Sequence, residues 1–169
     1  MKMYREYLRL ILKTGSSYAP LFMRLGIGVM FFMHGYMKLN GGLEGTAGFF
    51  NMVGLVPSYP LAVLVALTET FGGLALIAGF LVKPASIALT VDMLVAAIMV
   101  HIPNGFFINW GGAAGVGNGY EFQVVLIPSL LTLLIYGAGL ASVDHWLHNY
   151  LDLDSDVTEE EYKPGRKAA

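Results

Sequence analysis

Cysteine is missing from this chain of 169 residues. Its absence excludes disulfides, thiolate-ligated iron–sulfur clusters, covalent haem attachment and a redox-active thiol pair. Any redox role therefore needs a bound quinone, a non-covalent cofactor or a partner protein. Charge is scarce as well: Asp, Glu, Lys and Arg make up 13% of the residues, against about 25% in ordinary soluble domains. Apolar residues take their place, 56% of the chain at a mean hydropathy of +0.61. Few charges and long apolar runs point to an integral membrane protein of one domain, with the lipid bilayer as its first partner. The ten Lys and Arg form no dense cluster and the net charge is −2, which points away from a nucleic-acid partner.

A helix needs about 20 mostly apolar residues to cross a bilayer. Four stretches qualify: 18–39, 59–81, 84–101 and 121–140. The expected fold is all-α, an integral membrane four-helix bundle. Pro20 and Pro84 stand where helix starts tolerate proline, and Pro128 should kink the fourth span. Orientation follows from the basic residues. Lys2, Arg5, Arg9 and Lys13 precede the first span, Lys83 joins the second to the third, and Lys163, Arg166 and Lys167 follow the fourth. With four spans all of these fall on one side, and the positive-inside rule makes both termini cytoplasmic.

The first span contains Arg24 and is followed by no small-residue cleavage site, so it is expected to remain as an anchor. Ahead of it, Arg5, Arg9 and Lys13 recur every fourth residue, with Tyr4, Leu8 and Ile11 elsewhere around the helix. That pattern predicts a short amphipathic helix on the inner leaflet. Residues 1–17 thus form a cytoplasmic segment, 18–146 the membrane domain, and 147–169 a polar cytoplasmic tail expected to be disordered.

Five ionisable side chains interrupt the spans: Arg24, His34, Lys38, Glu69 and Asp92. His101 and Glu121 mark two helix ends. A charge at mid-helix costs about 2.5–3.5 kcal/mol on insertion scales, so such groups face the bundle and find partners. Sorted by depth along the helices, Arg24 and Asp92 lie in the inner half and are expected to clamp two helices. His34, Lys38, Glu69, His101 and Glu121 gather toward the outer side. Asp92 and His101 are nine residues apart, which an ideal helix places on opposite faces, so His101 either faces away from Asp92 or sits past the regular helix. The inner pair and outer cluster are therefore expected to be separate sites. Ala62, Ala66, Glu69 and Gly73 share a small-residue face that lets a neighbouring helix approach Glu69 closely.

Each outer residue has an ordinary reading by itself. Lys38 can snorkel to an interface, Glu121 can sit in a helix first turn, and His34 can satisfy a backbone carbonyl. Glu69, well inside a span, demands a named cation. As a group they read as a polar pocket, and no metal site is expected.

The stretches "RLGIGVMFFMHGYMKL", "ALTETFGGLALIAGFLVKPAS", "IPNGFF" and "GYEFQVVLIPSLLTLLIYGAGLASVD" stand in an order that resembles DoxX-type small membrane proteins. The resemblance covers about residues 20–146. It implies a multi-pass four-helix protein of a bacterial or archaeal inner membrane. Some relatives are the small membrane subunit of thiosulfate:quinone oxidoreductase, and others associate with redox or thiol-defence enzymes. Arg24, His34, Lys38, Glu69, His101 and Glu121 carry over as candidate residues.

The preferred expectation is a quinone-interacting subunit of a membrane oxidoreductase, working with a partner redox protein. Quinone reduction needs an apolar slot for the ring and donors that also deliver protons. His34, Lys38 and Glu69 are the candidate catalytic residues. Arg24, Phe31, His101 and Glu121 are the candidate cofactor-binding residues, with Phe32 and Phe71 completing the slot. The alternative from another class is a non-catalytic scaffold or assembly factor that docks a partner enzyme. A haem b protein with His34 and His101 as axial ligands is disfavoured, because two membrane histidines alone carry it; a proton or small-anion carrier is a further option. The outer stretch "IPNGFFINWGGAAGVGNGY" has neither the preceding strand nor the lysine of a phosphate-binding loop. It is expected to be an aromatic-belt segment or a lid, through Phe106, Phe107 and Trp110. Small residues on the second and third spans also leave a homo-oligomer open.

Overall fold

The computed structural model describes residues 2–153. Every regular element among them is helical: α1 (Lys2–Leu12), α2 (Ala19–Met37), α3 (Leu43–Met52), α4 (Ser58–Ala78), α5 (Val82–Ala96), α6 (Glu121–Tyr136) and α7 (Val143–Tyr150). The chain kinks after α2, at Lys38–Gly42, and a single π turn follows α5, at Ala97–His101. With its π turn and a 3₁₀ turn, α5 extends to Val82–Asn104; this rod and α4 are the two helices long and apolar enough to cross a membrane. The spans expected over 18–39 and 121–140 end earlier, as α2 and the 16-residue α6. Helix α6 runs through Pro128.

Four helices, α2, α4, α5 and α6, pack around Phe31, Leu76, Leu89, Leu126, Leu130 and Leu133. Backbone chemistry sets the tightest of these contacts. In α2 and α4, a Cβ on Gly73 would stand 2.7 Å from the carbonyl oxygen of Gly28 and against the backbone nitrogen of Phe32. Gly35 likewise abuts the backbone of Thr70. Small residues thus bring two backbones into direct contact, the approach read from the face of Ala62, Ala66, Glu69 and Gly73. Gly73→Ala should therefore cost about 1–3 kcal/mol, since neither backbone can yield. Gly26→Ala in α2 meets open space and should be neutral or mildly stabilising by helix propensity. Thermal unfolding in detergent compares the two; equal midpoints would refute backbone contact at Gly73.

One end of the bundle is knotted by polar contacts. Helix α4 stops in a Schellman turn, with Gly79 at φ +69° and Phe80 N–H donating to the Ala75 carbonyl at 2.9 Å. Leu81 follows, also left-handed at φ +50°, a conformation that a branched side chain resists. Asp144 of α7 holds it there: its carboxylate accepts from Leu81 N–H at 2.7 Å and Val82 N–H at 3.0 Å. It thereby caps α5 from another helix, a duty usually met by a residue in the same strand of chain. Burial pushes the Asp144 carboxyl above the usual carboxylate range, opposed by those two N–H groups and by the charge of Arg24.

Helices α1 and α7 lie at this same end. Lys83 Nζ donates to the Leu10 carbonyl at 3.0 Å, and Arg5 to the Asp152 carbonyl at 2.9 Å. The expected domain boundary at 146 falls inside α7, and Leu153 beyond it is buried. The acidic and basic tail from residue 154 lies outside the described residues. Helix α3 and the segment 105–120 occupy the opposite end. The outward faces of the four packed helices are apolar, carrying exposed Leu64, Phe71, Ile98, Val125 and Ile135.

Candidate functional site

A cavity of about 820 Å³ lies between α2, α4, α5 and α6, at the end away from α1 and α7. This is within the range of about 300–1,000 Å³ typical of ligand pockets. Its walls are mostly apolar, and its aromatic residues come from three elements: Phe31 of α2, Phe49 and Phe50 of α3, and Phe122 of α6. Helix α3 reaches this position because the chain turns sharply after α2. Asn40 and Gly41 leave helical geometry, Gly41 with φ +103°, a value suited to glycine. Phe71, expected in the slot, is instead 62% exposed on the outer surface of α4. Neither it nor Phe32 lines the cavity.

The polar lining centres on an ion pair. Lys38 Nζ donates to Glu69 Oε2, and Glu69 is only 5% exposed. The cation that Glu69 requires is thus Lys38, one helix away and brought near by the glycine contacts of α2 and α4. Lys38 is thereby tied down rather than snorkelling. His34, one turn before Lys38, lines the same cavity. So does His101, whose Nδ1 donates to the Asn118 carbonyl at 2.9 Å. A carbonyl only accepts, so that bond places the proton on Nδ1 and leaves Nε2 as an acceptor in the neutral ring.

Two expected placements change. The clamp between Arg24 and Asp92 does not form. Arg24 lies at the knotted end, where its guanidinium donates to the Leu76 carbonyl at 3.1 Å and the Ala141 carbonyl at 2.5 Å. Ala141 belongs to the turn before α7, outside every predicted span, so depth along the spans could not find it. Asp92 instead lines the cavity, within electrostatic reach of Glu69 and Lys38. Asp92 and His101 both line the cavity because His101 sits past the regular α-helix, the second of the two expected arrangements. The π turn at Ala97–His101 adds one residue to a turn, shifting the phase beyond it by roughly 100° and bringing the two residues toward one face.

Glu121 opens α6 and is half-buried, with its backbone N–H donating to the Phe106 carbonyl at 2.9 Å; its side chain is not part of the cavity lining. Gln123, two residues on, takes that place. It is 6% exposed and lines the cavity. A lone amide in the apolar run "EFQVVLIPSLL" is the sequence feature that marks it. The buried Asp92 Oδ2 and Gln123 Oε1 have no hydrogen-bond partner. Among the described residues, no group of three or more metal-ligating side chains forms.

The structure therefore brings His34, Lys38, Glu69, His101 and Phe31 together, adds Asp92 and Gln123, and leaves Arg24 and Glu121 apart. Over residues 19–102, from α2 through the end of the α5 rod, the chain matches the DoxX family model. It is also similar to "Putative oxidoreductase CatD" of Bacillus subtilis (strain 168), with 29% identity over 124 residues, which is 73% of this chain and 83% of that protein. No solved structure matches. The chain belongs to the DoxX family, a family of membrane proteins.

Proposed function

We propose that this protein is the small membrane subunit of an oxidoreductase system, and that its cavity takes the ring of a quinone. The observation that carries the reading is an ion pair, Lys38–Glu69, with its carboxylate buried, set in a mostly apolar cavity of about 820 Å³. Buried charge inside a membrane protein marks a site by default. Apolar walls suit a lipophilic ring, while Lys38 and His34 supply donors for a carbonyl oxygen and Glu69 a proton store beside them. Leu64, Val91, Val95 and Phe122 both line the cavity and are exposed on the helix exteriors, a lateral way in for a ligand dissolved in lipid. The DoxX family and the oxidoreductase name of the Bacillus subtilis relative favour a redox setting. With no cysteine, electrons would come from a partner redox protein.

In this reading α2, α4, α5 and α6 cross the inner membrane as a four-helix bundle. Their exposed Leu, Ile, Val and Phe side chains meet lipid, since surface of this kind does not stay in contact with water. The end carrying Arg9, Lys13 and Lys83 is cytoplasmic and the cavity faces the outer leaflet. A bound quinone would supply two-electron redox chemistry, and this chain would orient it, exclude water and hold a proton at Glu69.

The test is untagged co-purification from native membrane, followed by lipid extraction and titration with a short-chain quinone. Extracted quinone and saturable one-to-one binding are expected. A stable partner enzyme together with no quinone binding would overturn the reading in favour of a scaffold.

A further inference from the structure

The cavity lining holds one charged donor, Lys38, and several acceptors without donors of their own. On α5, Asp92 Oδ2 is buried without a partner, and on α6, packed directly against α5, Gln123 Oε1 is buried without a partner too. His101 adds a third acceptor in Nε2, because its Nδ1 proton is committed to Asn118. Charge points the same way. Lys38 is paired with Glu69, which leaves the Asp92 carboxylate with no cation of its own in contact. Buried polar groups are nearly always hydrogen-bonded. Orphaned acceptors on two adjoining walls of one cavity fit a ligand that brings donors of its own.

A quinone ring cannot supply them, because its carbonyl oxygens only accept. Its two-electron-reduced form carries hydroxyl groups, which donate. We infer that Asp92 and Gln123 make the cavity selective for the reduced, hydroxyl-bearing ring: a ring hydroxyl, with its one hydrogen, donates to Asp92 Oδ2 or to Gln123 Oε1, and a ring oxygen accepts from Lys38. Gln123 can rotate its amide and present a donor, so Asp92 in its ionised form, which only accepts, is the main determinant. This inference rests on the proposed quinone-binding function.

The experiment is anaerobic calorimetric titration of the full-length protein in detergent. The probes are a decyl-chain benzoquinone and its hydroquinone. Wild type should bind the hydroquinone about tenfold or more tightly than the quinone, the discrimination expected when a site built for a donor meets a ligand lacking it. Asp92→Leu should reduce that ratio to about twofold, by loss of hydroquinone affinity, and Gln123→Leu should lower it less. If Asp92→Leu does not fold, the wild-type ratio and Gln123→Leu decide the matter. Equal binding of both forms by wild type, tighter quinone binding, or a ratio unchanged in the folded variants would overturn the inference while the cavity remained a quinone site. Binding of neither form would overturn the proposed function and this inference with it.

Discussion

Arg24→Ala should cost about 3–5 kcal/mol, the penalty for stripping the partner from buried, hydrogen-bonded polar groups. Arg24 is 0% exposed, and what it holds explains the size of the effect. It donates to Leu76 in the last turn of α4, where the helix presents unsatisfied carbonyls and the negative end of its dipole. It donates also to Ala141, tying the turn before α7 to the end of α4. Gly79 leaves room for the guanidinium, since a Cβ there would collide with it. Removing Arg24 thus frees two carbonyls and opens a void next to the Asp144 cap at once. The midpoint of thermal unfolding in detergent should fall by about 10 °C or more.

The same variant should show a pH signature. Asp144 is held above the usual carboxylate range by burial, and Arg24 pulls it down. A carboxyl raised in the folded state destabilises it as pH climbs from the unfolded value toward the folded one, because the folded state binds the extra proton. Without Arg24 the Asp144 carboxyl rises further. The penalty of Arg24→Ala should therefore shrink at acidic pH, where Asp144 is protonated with or without its neighbour, and grow toward neutral pH. A penalty independent of pH would show that Arg24 acts through the carbonyls alone.

Glu69→Gln should lower quinone-dependent electron transfer by about 10²-fold or more, measured in vesicles containing the protein with its native partner. The substitution keeps shape and removes the charge that Lys38 answers, so thermal stability should change far less than turnover. Lys38→Met acts differently. It leaves the Glu69 carboxylate buried without its cation, which costs about 3–5 kcal/mol. The double variant Lys38→Met with Glu69→Gln should then be more stable than Lys38→Met alone, the non-additivity expected of a coupled pair. His34→Ala, which disturbs no contact of the ion pair, should reduce turnover while leaving stability intact. Full turnover in both Glu69→Gln and His34→Ala would sink the catalytic role of this cluster.

Much of the site was legible because charge is so scarce. In an apolar chain each ionisable residue inside a span is conspicuous, and His34, Lys38, Glu69 and His101 mark one end of the bundle by depth alone. The face of Ala62, Ala66, Glu69 and Gly73 announced a close helix contact, since only small residues permit one. What linear spacing could not carry were departures from ideal helix phase. The π turn at Ala97–His101 rotates His101 toward Asp92, and the break at Asn40–Gly41 swings α3 over the cavity with Phe49 and Phe50.

By itself the sequence determined the helical class, the helix start at Pro20, the amphipathic first helix, and the set of residues able to do chemistry. Each of these depends on local composition and periodicity, which the chain carries residue by residue. Tertiary structure alone decided who meets whom. It gave Arg24 to the carbonyls of Leu76 and Ala141 rather than to Asp92, and Asp144 to the start of α5. It also moved Asp92 and Gln123 into the cavity while leaving Glu121 outside. Those pairings cross long stretches of chain, and they follow from how buried polar groups find partners once the helices have packed.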